Sequence, residues 1–336
     1  MTADEAHMAI ALREAERGIG LTSPNPPVGA VMVGSNGRMI SSGYHERAGG
    51  PHAEIAALQN CPAKQRRSAT LYITLEPCSS QGRTPACTQA IIDAGIGRVV
   101  YATTDPNPAH AGRADRILRK HGIEVRRGVL RSEAQRLIRP WAHWIVSGKP
   151  WVIAKAGSSL DGRITRPPGE SQWLTSSAAR RDAQQLRRRA DAILIGAGTL
   201  RADDPSLTVR GGAGKGKKQP LRIVLAGKRR VSRKAKIFTD RHADRTLVYR
   251  NQPLEQVIAE LGGLGVTSLL IEGGGQVLGE AFAGGLVDEV HFYFAPMLCG
   301  AAATASVARP LDSSVHLSEI ETHRIGDNTK ISGIVQ

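Results

Sequence analysis

PHAEIAALQNCPAKQRRSATLYITLEPCSSQGRTPACTQAIIDAGIGRVVYATTD, residues 51–105, alternates helical and extended patterns in a regular order. The apolar spacing predicts a helix from Pro51–His52 through HAEIAALQN and a strand over ATLYITLEP. A loop of Ser, Gln, Gly, Arg and Thr follows, then a helix from Pro85 through Ala94 and a strand over RVVYATTDP. Strands alternating with helices call for an α/β layer architecture.

The same stretch carries the strongest chemistry in the chain: His52-Ala53-Glu54, then Pro77-Cys78, then Cys87. One imidazole and two thiolates suit zinc, which prefers nitrogen and sulfur donors and keeps a fourth position open for water in catalytic sites. Zinc so held lowers the pKa of its water to about 7 and supplies hydroxide at neutral pH. Glu54 stands two residues from His52, close enough to move protons to and from that water without ligating the metal. His-x-Glu with a following Pro-Cys is the signature of zinc deaminases. The Cys-x8-Cys spacing is wider than the usual Cys-x2-Cys. A closed structural zinc site, with His45 as fourth ligand, and two unrelated cysteines are the alternatives. The first would leave Glu54 beside the metal without a purpose. Cys61 and Cys299 lack a partner motif and read as packing or loop residues.

Outward from this segment, the N-terminal residues up to about 17 have helical spacing at Met8, Leu12 and Ala15, and SPNPP breaks the pattern. GAVMVG and MISSGYH form a hairpin around SNGR. A helix over ADRILRKHG, a strand over IEVRRGV and a helix across residues 132–147 complete the first half. Gly148 and Pro150 end that helix, which places a domain boundary at residues 148/149. In the second half, strands are expected at WVIAKAGSSLDGR, AILIGAG, LRIVLAG, TLVYR, SLLIEGGG and EVHFYFAP. Helices are expected over TSSAARRDAQQLRRR, near 253–262 and over QVLGEAFAGG. No G-x-G-x-x-G opens a βαβ unit, so a Rossmann site is not indicated. Gly273-Gly274-Gly275, between strand and helix, could either approach a pyrophosphate or be a plain turn.

The 336 residues suit two domains of roughly 150 each. No apolar run approaches the roughly 20 residues of a membrane span, and the charged, helix-patterned start lacks the features of a signal peptide. A cytoplasmic address is the expectation, and four cysteines in such a chain do not imply a disulfide framework. Lys and Arg outnumber Asp and Glu by 45 to 30. The excess is shared: residues 1–150 carry 19 basic and 12 acidic groups, the remainder 26 and 18. Twelve basic residues stand against one Asp between Arg210 and Arg241. With almost no aromatic residues among them to stack bases, that stretch reads as a solvated or small-phosphate-attracting surface, not a nucleic-acid track.

PNPPVGAV, GYHERAGGPHAE, TLEPCSSQGRTPAC and DPNPAHAGR together resemble the deaminase domain of the bifunctional deaminase/reductase family of riboflavin biosynthesis. KAGSSLDGR, GESQWLTSSAARRD, ILIGAGTLRADDPSLTVR and IEGGGQVLGEA resemble its reductase domain, in the same order. The resemblance implies a cytidine-deaminase-like three-layer α/β/α zinc domain over residues 1–148 and a dihydrofolate-reductase-like α/β domain over 149–336. It implies zinc-dependent removal of the 2-amino group from a phosphoribosylamino diaminopyrimidinone, then NADPH-dependent reduction of the ribosyl chain to ribityl. By position it makes His52, Cys78 and Cys87 the zinc ligands and Glu54 the proton shuttle, and it sets Asn25, His45 and Arg83 around the pyrimidine and its phosphate. It sets NADPH along Trp173, Thr199, Asp203, Gly274 and Gly275, and the reductase substrate along Lys155, Ser171, Arg187, Leu207, Arg210 and Glu272. The two arginines suit bidentate phosphate recognition and Glu272 sugar hydroxyls.

Two departures stand out. The family commonly has Ser-His after the first cysteine where this chain has Ser79-Ser80, a hydroxyl that can donate a hydrogen bond but cannot carry an imidazole's charge. Ala114 replaces a common Gly at a position expected to be close to substrate. The partner is thus expected to be a small phosphorylated pyrimidine, with no nucleic acid and no membrane, and closed symmetry favours a homodimer or higher oligomer. A zinc-dependent base deaminase acting on RNA, and a chain with only one active domain, are the competing readings.

Overall fold

A computed structural model describes residues 1–80, 86–170, 173–211 and 218–336. The chain folds as two compact units, Met1–Ser147 and Gly148–Gln336. Among the described residues no helix is long and apolar enough to cross a membrane.

In the first unit the order is α1 (Ala3–Glu16), β1 (Gly29–Val33), β2 (Met39–Tyr44), α2 (Ala53–Gln59), α3 (Ala63–Arg66), β3 (Thr70–Leu75), α4 (Cys87–Asp93), β4 (Arg98–Thr103), α5 (Arg113–Lys120), β5 (Glu124–Arg127) and α6 (Arg131–Ser147). The sheet runs β2-β1-β3-β4-β5, with β1 antiparallel to both β2 and β3, and β3, β4 and β5 parallel. The period-2 alternation of a strand divides its side chains between two faces. Ala30 and Met32 meet Ala53, Ala57 and Ile91 on one face, while Val31 and Val33 meet Met8 and Ala11 on the other. The unit is therefore three layers, α/β/α, as expected. Helix α2 lies so close to β2 that a Cβ on Gly43 would come 2.4 Å from the Ala57 nitrogen. That close approach anchors the helix on which His52 and Glu54 stand.

Helix α1 is held by charge as well as by packing. Thr2 caps it in a full capping box with Glu5. Asp4, 7% exposed, accepts hydrogen bonds from Tyr72 (2.7 Å), bidentately from Arg98 (3.0 and 2.9 Å) and from Arg126 (2.5 Å). The Arg98 guanidinium holds the Asp4 carboxyl down at about 2, against the burial that pushes it up. A depressed carboxyl contributes stability that is complete above its unfolded value near 3.8 and is lost as the pH falls towards 2. We expect Asp4→Asn to lower stability at neutral pH by roughly 2 kcal/mol. Denaturant melts should also show a shallower acid limb between about pH 4 and pH 2. A variant that kept the wild-type acid limb would show that Asp4 is not responsible for it.

In the second unit the order is β6 (Trp151–Ser159), α7 (Ser177–Arg189), β7 (Ala192–Gly196), α8 (Ala197–Asp203), β8 (Leu221–Leu225), α9 (Lys236–Thr239), β9 (Thr246–Tyr249), α10 (Leu254–Gly263), β10 (Ser268–Ile271), α11 (Gly275–Ala283), β11 (Glu289–Ala295), β12 (Leu317–Ile325) and β13 (Asn328–Val335). The sheet order is β12-β13-β11-β6-β10-β7-β8-β9. From β11 to β9 every neighbour is parallel, and β13 and β12 add an antiparallel hairpin to the β11 edge. Helices α10 and α11 pack on one face through Leu254, Val257, Leu261 and Leu278, and α7 on the other through Ala179, Ala183 and Leu186.

Sequence patterns end at EVHFYFAP and miss the final hairpin. Strand β12 exposes most of its side chains, including Glu319, Glu321, His323 and Arg324, so it carries no apolar alternation to read. The WVIAKAGSSLDGR strand stops at Ser159, because the Asp161 carboxylate accepts from the Ser159 hydroxyl and from the Cys299 and Gly300 amides in a turn at Gly162.

Candidate metal centre and reductase site

The convergence of His52, Cys78 and Cys87 follows from three separate elements. His52 is the N-cap of α2, Cys78 lies just beyond β3, and Cys87 is the first residue of α4. Their donor atoms all lie within 4.8 Å of one another. His52 Nδ1 is 3.2 Å from Cys87 Sγ and 3.6 Å from Cys78 Sγ, and the Cys87 amide donates to Cys78 Sγ at 3.2 Å. The Cys87 thiol and that amide stabilise a Cys78 thiolate, held down at about 4. Its charge and burial in turn push the Cys87 thiol up. One nitrogen and two sulfur donors at this separation fit a zinc ion.

Glu54 lies beside the donors, 4% exposed, and burial raises its carboxyl pKa. His45 does not join the cluster. Its Nδ1 lies 2.8 Å from the Pro51 carbonyl, which can only accept, so Nδ1 carries the proton and Nε2 accepts from Asn25 Nδ2 at 3.1 Å. Burial lowers the His45 pKa and keeps the ring neutral. The closed-site alternative, with His45 as a fourth ligand, has no support in this geometry. Asn25 and His45 thus meet His52 and Glu54 around one cavity of about 360 Å³, within the range of small-molecule sites. Arg83 lies outside the described residues. Cys61 and Cys299 are both buried and are not members of the donor cluster.

Several residues of this cavity were not legible as such. Trp141 and Trp144, one helical turn apart on α6, form an apolar wall with Leu75 and Val28, although their spacing reads only as a buried helix face. Glu76, 4% exposed, accepts from the amides of Asp105 (3.2 Å), Gly112 (3.0 Å) and Ala114 (3.1 Å). It thereby fixes the loop that brings Asp105, Asn107 and His110 to the cavity. An acid directly after a strand buried from Leu71 to Leu75 was the available signal. Ala114 is itself buried and binds Glu76 through its amide, and it is not among the described lining residues.

In the second unit, Arg187 and Glu272 are joined to each other. Arg187 Nε and Nη2 donate to the two carboxylate oxygens at 2.7 and 2.9 Å, and Nη1 to the Thr208 carbonyl at 3.1 Å. Lys155 Nζ stands 4.0 Å from the same carboxylate. Burial pushes Glu272 up, but Arg187 and Lys155 outweigh it and hold the carboxyl at about 2. The Arg187 fork is therefore engaged within the protein. Arg210 is exposed and donates its amide to Gln184. Leu207 is 2% exposed with φ +50°, a left-handed conformation that is strained for a leucine. Ser171 lies outside the described residues.

Gly274 caps α11, and a Cβ there would stand 3.2 Å from Thr199 Oγ1, so these two residues face each other. Gly275 has a different reason to be glycine: a Cβ would come 2.0 Å from the Ala305 carbonyl. Asp203 ends α8 and is exposed. Trp173 is 57% exposed, with the Arg180 guanidinium 4.7 Å above its ring.

The basic stretch from 210 to 241 is not uniformly solvated. Arg222 is 1% exposed and donates bidentately to Asp240, the one acid of the stretch, and to the carbonyls of Ser206, Ile237 and His242. Its charge is neutralised in the core because a buried guanidinium needs a paired carboxylate. A second cavity, of about 480 Å³, is lined by Arg210, Arg241 and His242 among others. Residues 212–217 of the basic loop lie outside the described residues.

Residues 150–331 match the family described as the RibD C-terminal domain, and residues 1–103 match the cytidine and deoxycytidylate deaminase zinc-binding region. The riboflavin biosynthesis protein RibD of Bacillus amyloliquefaciens is 38% identical over 98% of this chain and 96% of its own length. That of Escherichia coli (strain K12) is 40% identical over 91% of each. Among solved structures, Acinetobacter baumannii RibD aligns over 99% of both chains with a TM-score of 0.90 and 33% identity. A diaminohydroxyphosphoribosylaminopyrimidine deaminase/5-amino-6-(5-phosphoribosylamino)uracil reductase from Thermotoga maritima does so with a TM-score of 0.89 and 32% identity.

Proposed function

Since this chain belongs to the RibD family of riboflavin-biosynthesis proteins, we propose that its first unit deaminates the phosphoribosylamino diaminopyrimidinone and its second reduces the resulting uracil. The observation that carries the first step is the convergence of one imidazole and two thiols beside a buried carboxyl in a cavity. His52, Cys78 and Cys87 would hold the zinc. Bound there, the metal supplies a strongly activated water for attack on the ring carbon that bears the amino group.

The rest falls to the chain. Glu54, with its pKa raised by burial, can take a proton and return it to the departing amine. Asn25 and neutral His45, held to each other and to Pro51, offer a fixed polar edge for the ring. Trp141 and Trp144 give the planar heterocycle an apolar wall and keep out water.

In the second unit we assign substrate contacts to Lys155, Leu207, Arg210 and Glu272, with Arg187 holding Glu272 in place, and Ser171 as a further contact. NADPH would lie along Trp173, Thr199, Asp203 and the α11 start at Gly274–Gly275, whose amides and helix N-terminus favour a pyrophosphate. The cofactor supplies the hydride; the residues supply placement and charge. Purified zinc-loaded protein given the diaminopyrimidine and NADPH should release ammonia and oxidise NADPH in succession, with about one zinc per chain by metal analysis. Ammonia release with no NADPH oxidation would remove the second half of the proposal. The absence of both would remove all of it.

A further inference from the structure

The deaminase cavity contains an imidazole that the proposed chemistry leaves without a role. His110, half-buried on the loop before α5, lines the cavity, and its Nδ1 lies 3.5 Å from Ser80 Oγ. Ser80 stands at the second position after Cys78, so a hydroxyl on the β3 side and an imidazole on the α5 side form one touching pair at the cavity.

Three histidines line the cavity. His45 has both ring nitrogens engaged, by Pro51 and Asn25, and His52 belongs to the donor cluster. His110 Nε2 has no hydrogen-bond partner among the described residues. The described lining otherwise holds three carboxyl groups, Glu54, Glu76 and Asp105, and neither Lys nor Arg. Arg83, which the resemblance sets beside the phosphate, lies outside the described residues, and among the described lining His110 is the basic side chain with a ring nitrogen left to donate to a phosphate. Because a dianion is costly to bury, the place of the phosphate is the solvent side of the cavity. His110 is on that side: its neighbours Pro108 and Ala109 are exposed, whereas Glu54 is buried.

We infer that His110 is a substrate-binding residue of the deaminase site that donates to the phosphate end of the substrate, with the Ser80 hydroxyl orienting its ring. This rests on the deaminase reading above, and binding measured apart from turnover keeps the two distinguishable. Calorimetric titration of the zinc-loaded full chain would use the phosphorylated diaminopyrimidine and its dephosphorylated counterpart. His110→Ala should weaken binding of the phosphorylated compound, and raise its KM, by about 10- to 100-fold. It should leave kcat and binding of the dephosphorylated compound near wild type. Ser80→His in the His110→Ala background should recover most of the loss, which a merely structural loop residue would not allow. Unchanged binding by His110→Ala, or an equal loss with both compounds, would overturn the inference. His110-dependent binding by a chain that releases no ammonia would instead overturn the deaminase reading and keep only the assignment of His110 to the phosphate end of this cavity.

Discussion

Replacing Glu54 by Gln should reduce ammonia release by about a thousandfold, within the 10²–10⁴ range of a positioned general acid–base group. The same variant should retain its zinc and reduce pre-deaminated substrate at the wild-type rate. Glutamine keeps the size of the carboxyl and one acceptor oxygen but cannot accept and return a proton. Glu54 is not one of the three convergent donors, so metal content should not follow activity. The reductase residues belong to the other compact unit, so the second reaction reports whether that unit is intact, and retained zinc reports on the first. Normal ammonia release from this variant would show that some other group moves the protons. A loss of zinc would show that Glu54 acts on the metal and not on the substrate.

The second large effect concerns Arg187. Its side chain and that of Glu272 are 11% and 9% exposed, and removing the guanidinium leaves a buried carboxylate with Lys155 at 4.0 Å and the weaker influence of Arg210. Breaking a buried pair by removing one partner costs about 3–5 kcal/mol, because the remaining charge stays desolvated. Arg187→Met should therefore lower the melting temperature of the second unit by roughly 10 °C and abolish NADPH oxidation while sparing ammonia release. Arg187→Met with Glu272→Met should recover most of the stability, since an apolar pair of similar volume is often neutral or better. It should not recover reduction. If the single variant melted like the wild type, the pair would not be holding the site. If the double variant regained reductase activity, Glu272 would have no part in substrate binding.

In the sequence Arg187 suits phosphate recognition or a solvated surface, because an arginine on a helix and an acid 85 positions later have no visible relation. The fold relates them. Helix α7 lies on the face of a sheet whose strand β10 ends just before Glu272, and the two side chains meet there. The same holds for Arg222, counted as one charge of a basic stretch and found buried on Asp240. Trp141, Trp144 and Glu76 likewise became parts of a cavity only when α6 and the loop before α5 were set beside β3.

What the sequence determined by itself was whatever depends on short-range periodicity and spacing. The α/β order, the hairpin at SNGR, the break near residue 148 and the grouping of His52, Glu54, Cys78 and Cys87 are of this kind. His52 and Glu54 share the start of one helix, and Cys78 and Cys87 bracket the entry to another, so their chemistry was visible before any folding. Tertiary structure alone decided which charges are neutralised within the core and which residues wall the cavity. It also decided that β12 and β13 complete the second sheet. The physical reason is common to all three. A buried ion pair, a cavity wall and an edge strand are each defined by a partner distant in sequence, and the local pattern of a chain carries no record of that partner.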